Sequence, residues 1–204
     1  MNSMTVALDV DGVLLDCDGA FCIVASHYLK KPLRVLNRAY DLGQRYGITQ
    51  QDVYAVFEEM ANHPQGWGGM PALQDAIAAA KKLQNNGYRI ELVTAIPQKL
   101  EQMRLACLAA HDFIPDAIHC AGHHTASKKG IVEKMNPIMI VDDRLKHLYE
   151  CNSVPYRVWV DHGDEQDGLE FDSTEVFRVR SLEQWVSQWF EHYHNQDNKR
   201  AVQP

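Results

Sequence analysis

Short runs that are apolar at nearly every position alternate along the chain with stretches whose apolar residues recur every three or four positions. The runs are Thr5–Val10, Tyr88–Thr94, Ala117–Cys120, Ile138–Asp142 and Arg157–Val160. Runs this short, apolar on both faces, suit central strands of a parallel sheet covered by helices. Between them the spacing predicts helices. One opens at Pro71 and turns Ala72, Leu73, Ala76, Ile77, Ala80 and Leu83 inward, stopping at Gly87. Another covers Pro97–Ala110, with Leu100, Met103, Leu105, Cys107 and Leu108. A third is capped by Ser127 and runs to Met135, burying Ile131, Val132 and Met135. This alternation predicts an α/β fold, a Rossmann-like doubly wound parallel sheet with right-handed crossovers.

The segment from Cys17 to Met70 breaks the rhythm. It has no good strand. Helices are expected near Phe21–Leu29, Leu33–Tyr46 and Gln50–Met60, followed by a loop, His63–Gly69. The expected organisation is an α/β core of residues 1–16 and 71–194, a small helical insertion at 17–70, and a polar tail at 195–204. Near the end, Glu175–Arg180 reads as an edge strand. Ser181 and Gln184 form a capping box for a helix burying Leu182, Trp185, Val186, Trp189 and Phe190.

The chemistry concentrates at strand ends. Asp9-Val10-Asp11-Gly12 closes the first strand, and residues i and i+2 of a strand point the same way. Paired carboxylates are unfavourable there without a cation. In an open α/β sheet, ligands bind at that carboxyl end. A polar strand end followed by a turn is the bland alternative, and the same residues also occur in calcium loops. A second pair, Asp142-Asp143, follows the apolar run Ile138–Val141. Two pairs on one sheet edge make a cluster of hard oxygen ligands of the kind Mg²⁺ prefers. Thr94 ends the second core strand and offers a hydroxyl at the same edge. Lys128 and Lys129 begin the helix before the fourth strand, where a cation offsets carboxylates and holds an anion.

This ordered set, DVDGV, Thr94 after LV, a lysine at 128 or 129, and IVDD, resembles the four motifs of the haloacid dehalogenase-like phosphohydrolases. The resemblance implies a phosphomonoesterase. Asp9 would attack phosphorus and Asp11 would act as acid and base on the leaving group and water. Thr94 would bond the transferring phosphoryl group. The lysine would neutralise charge; Lys128 is favoured, because Ile131 and Val132 follow it at i+3 and i+4. Mg²⁺ would be held by the Asp9 carboxylate, the Asp11 backbone carbonyl and Asp142, with Asp143 a ligand through water or an anchor behind these ligands. Asp11 argues against dehalogenase chemistry, whose branch lacks that aspartate. The insertion corresponds to the family's helical cap, and the Trp67–Ala72 approach to the core loosely resembles the deoxyribonucleotidase branch. Candidate substrate contacts are Asp16, Phe21, Tyr28, Arg34, Arg38, Tyr40, Arg45 and Trp67. Two alternatives stay open: a phosphotransferase or phosphomutase on the same scaffold, and a non-catalytic phosphate-binding module.

Composition narrows this further. With 20 basic against 27 acidic residues, the net charge of −7 excludes a general nucleic-acid or anionic-membrane surface. It also disfavours an anionic substrate until the four motif aspartates are assigned to one cation site; then a small phosphorylated substrate fits. Five cysteines, an odd number without a CxxC pair, and no leader-like start read as a cytoplasmic protein with reduced thiols. His119, Cys120, His123 and His124 offer zinc-ligand types but no partner pair. The acidic residues Asp161, Asp164, Glu165 and Asp167 read as a solvated loop. No GxxxxGK[ST], GxGxxG or GxSxG motif is present.

Overall fold

A computed structural model describes residues 4–123, 126–166 and 168–193. The expected tail at 195–204, His124 and Asp167 lie outside them. The described chain forms β1 (Thr5–Leu8), α1 (Cys17–Tyr28), α2 (Leu42–Tyr46), α3 (Gln50–Glu59), α4 (Ala76–Asn85), β2 (Arg89–Thr94), α5 (Glu101–Ala110), β3 (Ala117–Cys120), α6 (Lys129–Met135), β4 (Met139–Asp142), α7 (Leu145–Glu150), β5 (Tyr156–Val160), β6 (Phe177–Val179) and α8 (Leu182–Gln188).

The six strands make one parallel sheet in the order β3-β2-β1-β4-β5-β6. Side chains alternate between its faces. Val6 and Leu8, Ile90 and Leu92, Met139 and Val141, and Val158 and Val160 pack on one side with residues of α4, α5, α8 and the 17–70 segment. Ala7, Val93, Ile140 and Trp159 pack on the other with Val132, Leu145 and Leu148 of α6 and α7. Both faces are therefore covered, which is why the strands read as continuous apolar runs. The chain leaves β1 toward β2 on one side and returns beyond it to β4. The switch in direction opens a crevice at the carboxyl ends of β1 and β4.

Three local expectations change. The second core helix starts at Ala76, not Pro71. Residues 71–73 instead pair with the opposite linker: Asp16 N–H donates to Pro71 O (2.9 Å) and Leu73 N–H to Leu14 O (2.9 Å). The expected helix at Leu33–Tyr46 shrinks to α2. Its first half is drawn into other bonds, with Leu36 N–H to Arg45 O and Glu165 N–H to Arg38 O, each 2.8 Å. After Gln188 the last helix widens into a π-turn, Trp189–Tyr193. The edge strand holds, shortened to β6, and Ser181 caps α8 by accepting from Gln184 N–H. No helix among the described residues is long and apolar enough to cross a membrane.

Candidate active site

Asp9 directly follows β1, and its N–H donates to Val141 O at 2.9 Å, which ties it to β4. Asp142 is the last residue of β4. Lys128, just before α6, reaches between them. Its ammonium lies 2.8 Å from Asp9 Oδ2 and 2.7 Å from Asp142 Oδ2, with no side-chain exposure. Lys129 points outward to Glu133 at 3.8 Å. The two adjacent lysines thus occupy opposite environments, one buried at the helix cap and one exposed in the first turn.

Asp142 gains further donors: Arg144 N–H at 2.9 Å and His147 Nδ1 at 3.2 Å from both oxygens. Asp143 is held through its backbone. Its carbonyl accepts from Trp159 Nε1 (2.9 Å) and Gln166 Nε2 (3.3 Å), and Gln166 Oε1 accepts from Leu145 N–H (3.0 Å). Gly12 has φ +76°, and a Cβ there would collide with the Asp143 carboxylate. Only glycine allows the loop after Asp11 to pass this close. Its carbonyl meets His162 Nε2 at 2.6 Å.

One carboxylate oxygen from each of Asp9, Asp142 and Asp143 lies within 4.8 Å of the other two. Lys128 bonds two of these three carboxylates. Burial pushes the Asp9 carboxyl up to about 6, with Asp142 and Asp11 adding to the rise and Lys128 opposing it. Burial, then Asp142 and Asp9, push Asp143 well up. Burial also opposes ionisation of Asp142, but Lys128 and His147 outweigh it and hold its carboxyl below the usual range. Burial would lower Lys128, yet the two carboxylates outweigh it and raise it. A small divalent cation with oxygen preference fits this donor set.

This has a measurable consequence. A carboxyl with a raised folded-state pKa binds more protons folded than unfolded, so it lowers stability as pH rises from its unfolded value near 4 toward 6. Without divalent metal, the melting temperature should lose from this cluster between pH 5 and 6.5. A divalent cation held by these carboxylates would bind their ionised form, so any stabilisation by Mg²⁺ should grow across the same interval. Thermal melts in chelator and in millimolar Mg²⁺ read this directly. A Mg²⁺ effect that is flat or shrinks with pH contradicts it.

Asp11 stands apart from the cluster. Its carboxylate accepts from Arg104 Nη2 at 2.7 and 3.0 Å. Thr94 ends β2 fully buried, and its hydroxyl has no hydrogen-bond partner among the described residues. An unpartnered buried donor is costly unless a ligand takes it up.

Asp9, Asp11, Gly12 and Asp143 floor a cavity of about 790 Å³ between the sheet edge and the 17–70 segment. Of the expected substrate contacts, Asp16, Arg38, Tyr40, Arg45 and Trp67 line it, while Phe21, Tyr28 and Arg34 do not. Phe21 packs against Tyr46 and Phe57 inside the helical segment. Arg144 sits over the Tyr40 ring at 4.5 Å. Arg45 bridges Asp18 (3.0 Å) and Asp164 (2.6 Å), tying α2 to the loop after β5. The expectation of a solvated acidic loop is thereby corrected. Asp164 serves this bridge, and Asp161 is buried and bound by Arg178 and Arg180. Among the expected zinc-type residues, His119 meets Glu91 at 2.7 Å and Cys120 contacts Glu101; neither joins a described metal-type cluster. Sequence reasoning missed Arg104, His147, Arg144 and Gln166. Arg104 had a signal: in phase with Leu100, Cys107 and Leu108, it falls on the buried face of α5.

No family model matches the chain. A curated protein of Chlorobaculum tepidum named "Putative 5'(3')-deoxyribonucleotidase" is 27% identical over 95 residues, 46% of this chain and 47% of that protein. The match thus spans about half the length of that relative. Solved structures are similar over nearly the whole chain. A haloacid dehalogenase-like family hydrolase of Streptococcus pneumoniae superposes with a TM-score of 0.63 at 13% identity, covering 92% of this chain and 98% of that one. A HAD phosphatase of Thermococcus onnurineus gives 0.55 at 17% identity, covering 91% and 97%. With both acidic pairs, Thr94 and Lys128 gathered at the carboxyl edge of its sheet, this chain has the fold of the haloacid dehalogenase-like hydrolases.

Proposed function

We propose that the protein is a Mg²⁺-dependent phosphomonoester hydrolase that works through an aspartyl-phosphate on Asp9. The observation that carries this is the buried Asp9–Lys128–Asp142 bridge, whose Asp9 lines the floor of the cavity together with Asp143. Asp9, Asp142 and Asp143 would hold the metal, with the Asp11 carbonyl as a further donor. When bound, Mg²⁺ supplies positive charge that lets an anionic nucleophile meet an anionic phosphate.

The chain's own residues do the rest. Lys128 orients Asp9 and neutralises it. The Asp9 carboxylate attacks phosphorus, and the leaving oxygen takes a proton from Asp11. Water then attacks phosphorus, giving a proton to Asp11, while the Asp9–phosphorus bond breaks to free phosphate and restore the Asp9 carboxylate. Thr94 donates its free hydroxyl to a phosphoryl oxygen. The 17–70 segment, as the cap, excludes bulk water and shapes the leaving-group pocket.

The cavity greatly exceeds a phosphate ion, and its wall mixes apolar side chains, Val53, Phe57, Trp67, Leu73 and Ile96 among them, with charged ones such as Arg38, Arg45, Arg144 and Arg180. That suits a small phosphorylated metabolite with an apolar or aromatic part, a nucleoside monophosphate among them; the Chlorobaculum relative's name points the same way. The five free thiols suit a reducing cytoplasm. A panel of phosphomonoesters with Mg²⁺ should release inorganic phosphate from at least one class, and chelator should abolish it. Formation of a new ester instead of phosphate would favour a phosphotransferase. Absence of both turnover and Mg²⁺ binding would favour a non-catalytic module.

A further inference from the structure

Arg104, on α5, is fully buried although it carries a charge. Its Nη2 meets both oxygens of Asp11, its Nη1 lies 3.1 Å from Met70 Sδ, and its guanidinium sits 5.2 Å above the Trp67 ring. Two more residues of the same helix face reach the same place. His111 Nε2 is 2.8 Å from Met70 O, and Cys107 Sγ is 3.5 Å from it. Asp11 lies where the chain leaves the core for the helical segment, and Met70 where it returns. One buried cation therefore clasps both linkers and a segment ring. Asp11 is the ion-pair partner of Arg104 among the described residues. A buried guanidinium stripped of its counterion is strongly unfavourable, so Asp11 is held where Arg104 puts it. The Asp11 side chain keeps 26% exposure toward the cavity, away from the metal-type cluster.

We propose that Arg104 is a positioning residue, resting on the phosphatase reading above, which fixes the Asp11 carboxyl on the leaving-group side of the cavity. The step it supports is balanced without it. The Asp9–phosphorus bond forms, the phosphorus–oxygen bond of the ester breaks with its electron pair going to the leaving oxygen, and that oxygen takes the proton carried on one oxygen of the neutral Asp11 carboxyl while the other still accepts from Arg104 Nη2. Arg104 exchanges no proton.

Leaving-group dependence separates this role from a merely structural one. Esters of acidic phenols leave without help, whereas alkyl esters need the proton. Wild type, Arg104→Met and Arg104→Lys are compared in Mg²⁺ on 4-nitrophenyl phosphate, phenyl phosphate and the best alkyl phosphate found. Arg104→Met should lose about 100-fold or more in kcat/KM on the alkyl ester and less than about threefold on 4-nitrophenyl phosphate. Competitive inhibition by inorganic phosphate should hold, and Arg104→Lys should restore part of the loss. In an Asp11→Asn background, Arg104→Met should add no further loss on the alkyl ester. Equal losses on all esters, or a full additional loss in the Asp11→Asn background, overturn the proposal while leaving the phosphatase reading standing. A folded wild type that hydrolyses none of the esters overturns both.

Discussion

Asp9→Asn should abolish phosphate release, lowering kcat by at least about 10⁴-fold, the scale on which enzymes lose activity with their nucleophile. The fold should survive the change. Asn keeps the shape of the side chain, and its single oxygen keeps one of the two bonds that Asp9 accepts, that from Lys128 at Oδ2 or that from Val10 N–H, which meets Oδ1 at 2.6 Å, while Lys128 keeps Asp142. The substitution also removes a carboxyl whose ionisation burial opposes. In chelator at pH 7 the variant should melt no lower than wild type. Lost turnover with retained stability is the signature of a nucleophile rather than a structural acid. Measuring phosphate release beside a thermal melt decides it, and full Mg²⁺-dependent turnover in Asp9→Asn sinks the assignment. Stabilisation by Mg²⁺ should weaken too, because one of three converging carboxylates is gone.

The sheet was legible in the sequence because its central strands are buried on both faces. Hydrophobicity alone then marks them, with bounds within two residues at β1, β2 and β4. The two acidic pairs were legible for the same reason: a carboxylate that abruptly ends an apolar run sits at the sheet's ligand-binding edge. Lys128 could be separated from Lys129 by the phase of Ile131 and Val132. Other features depended on partners distant in sequence. Pro71 looks like a helix opener, but its carbonyl is needed by Asp16 N–H across the linkers, so the helix is delayed. Residues 33–41 have helical spacing, yet their backbone bonds go to Arg45 and Glu165. Arg104 does not stand out in the sequence, because a charged residue on a helix ordinarily faces water. Its phase said otherwise, and only the fold could supply Asp11, 93 positions away, as its partner. The net charge of −7 misled in the same way, since it averages over a site whose local field is set by a few groups.

Lys128→Met should be the most damaging single change to both stability and turnover. The ammonium is wholly buried and bonded to Asp9 and Asp142 at once. Removing one partner from a buried ionic cluster costs about 3–5 kcal/mol, which for a chain of this size is a fall of roughly 10 °C in melting temperature. Methionine fills most of the volume, so a cavity adds little and the loss reports charge. The two carboxylates are left facing each other, and the chain can relieve them only by taking up protons or a cation. The deficit in chelator should therefore shrink as pH falls from 7 toward 5, and Mg²⁺ should recover part of it at pH 7. Turnover should not recover in parallel. The metal replaces charge near Asp9, Asp142 and Asp143 but not the donor that orients the nucleophile, so kcat should stay down by about 10³-fold or more. Lys129→Met is the matched control. That side chain is half exposed and meets Glu133 at only 3.8 Å, so its loss should change stability by under about 0.5 kcal/mol and leave turnover as it was. Melting curves at pH 5, 6 and 7 with and without Mg²⁺, read beside kcat for both variants, test each part. Equal behaviour of the two lysines would show that the buried bridge does not organise this site.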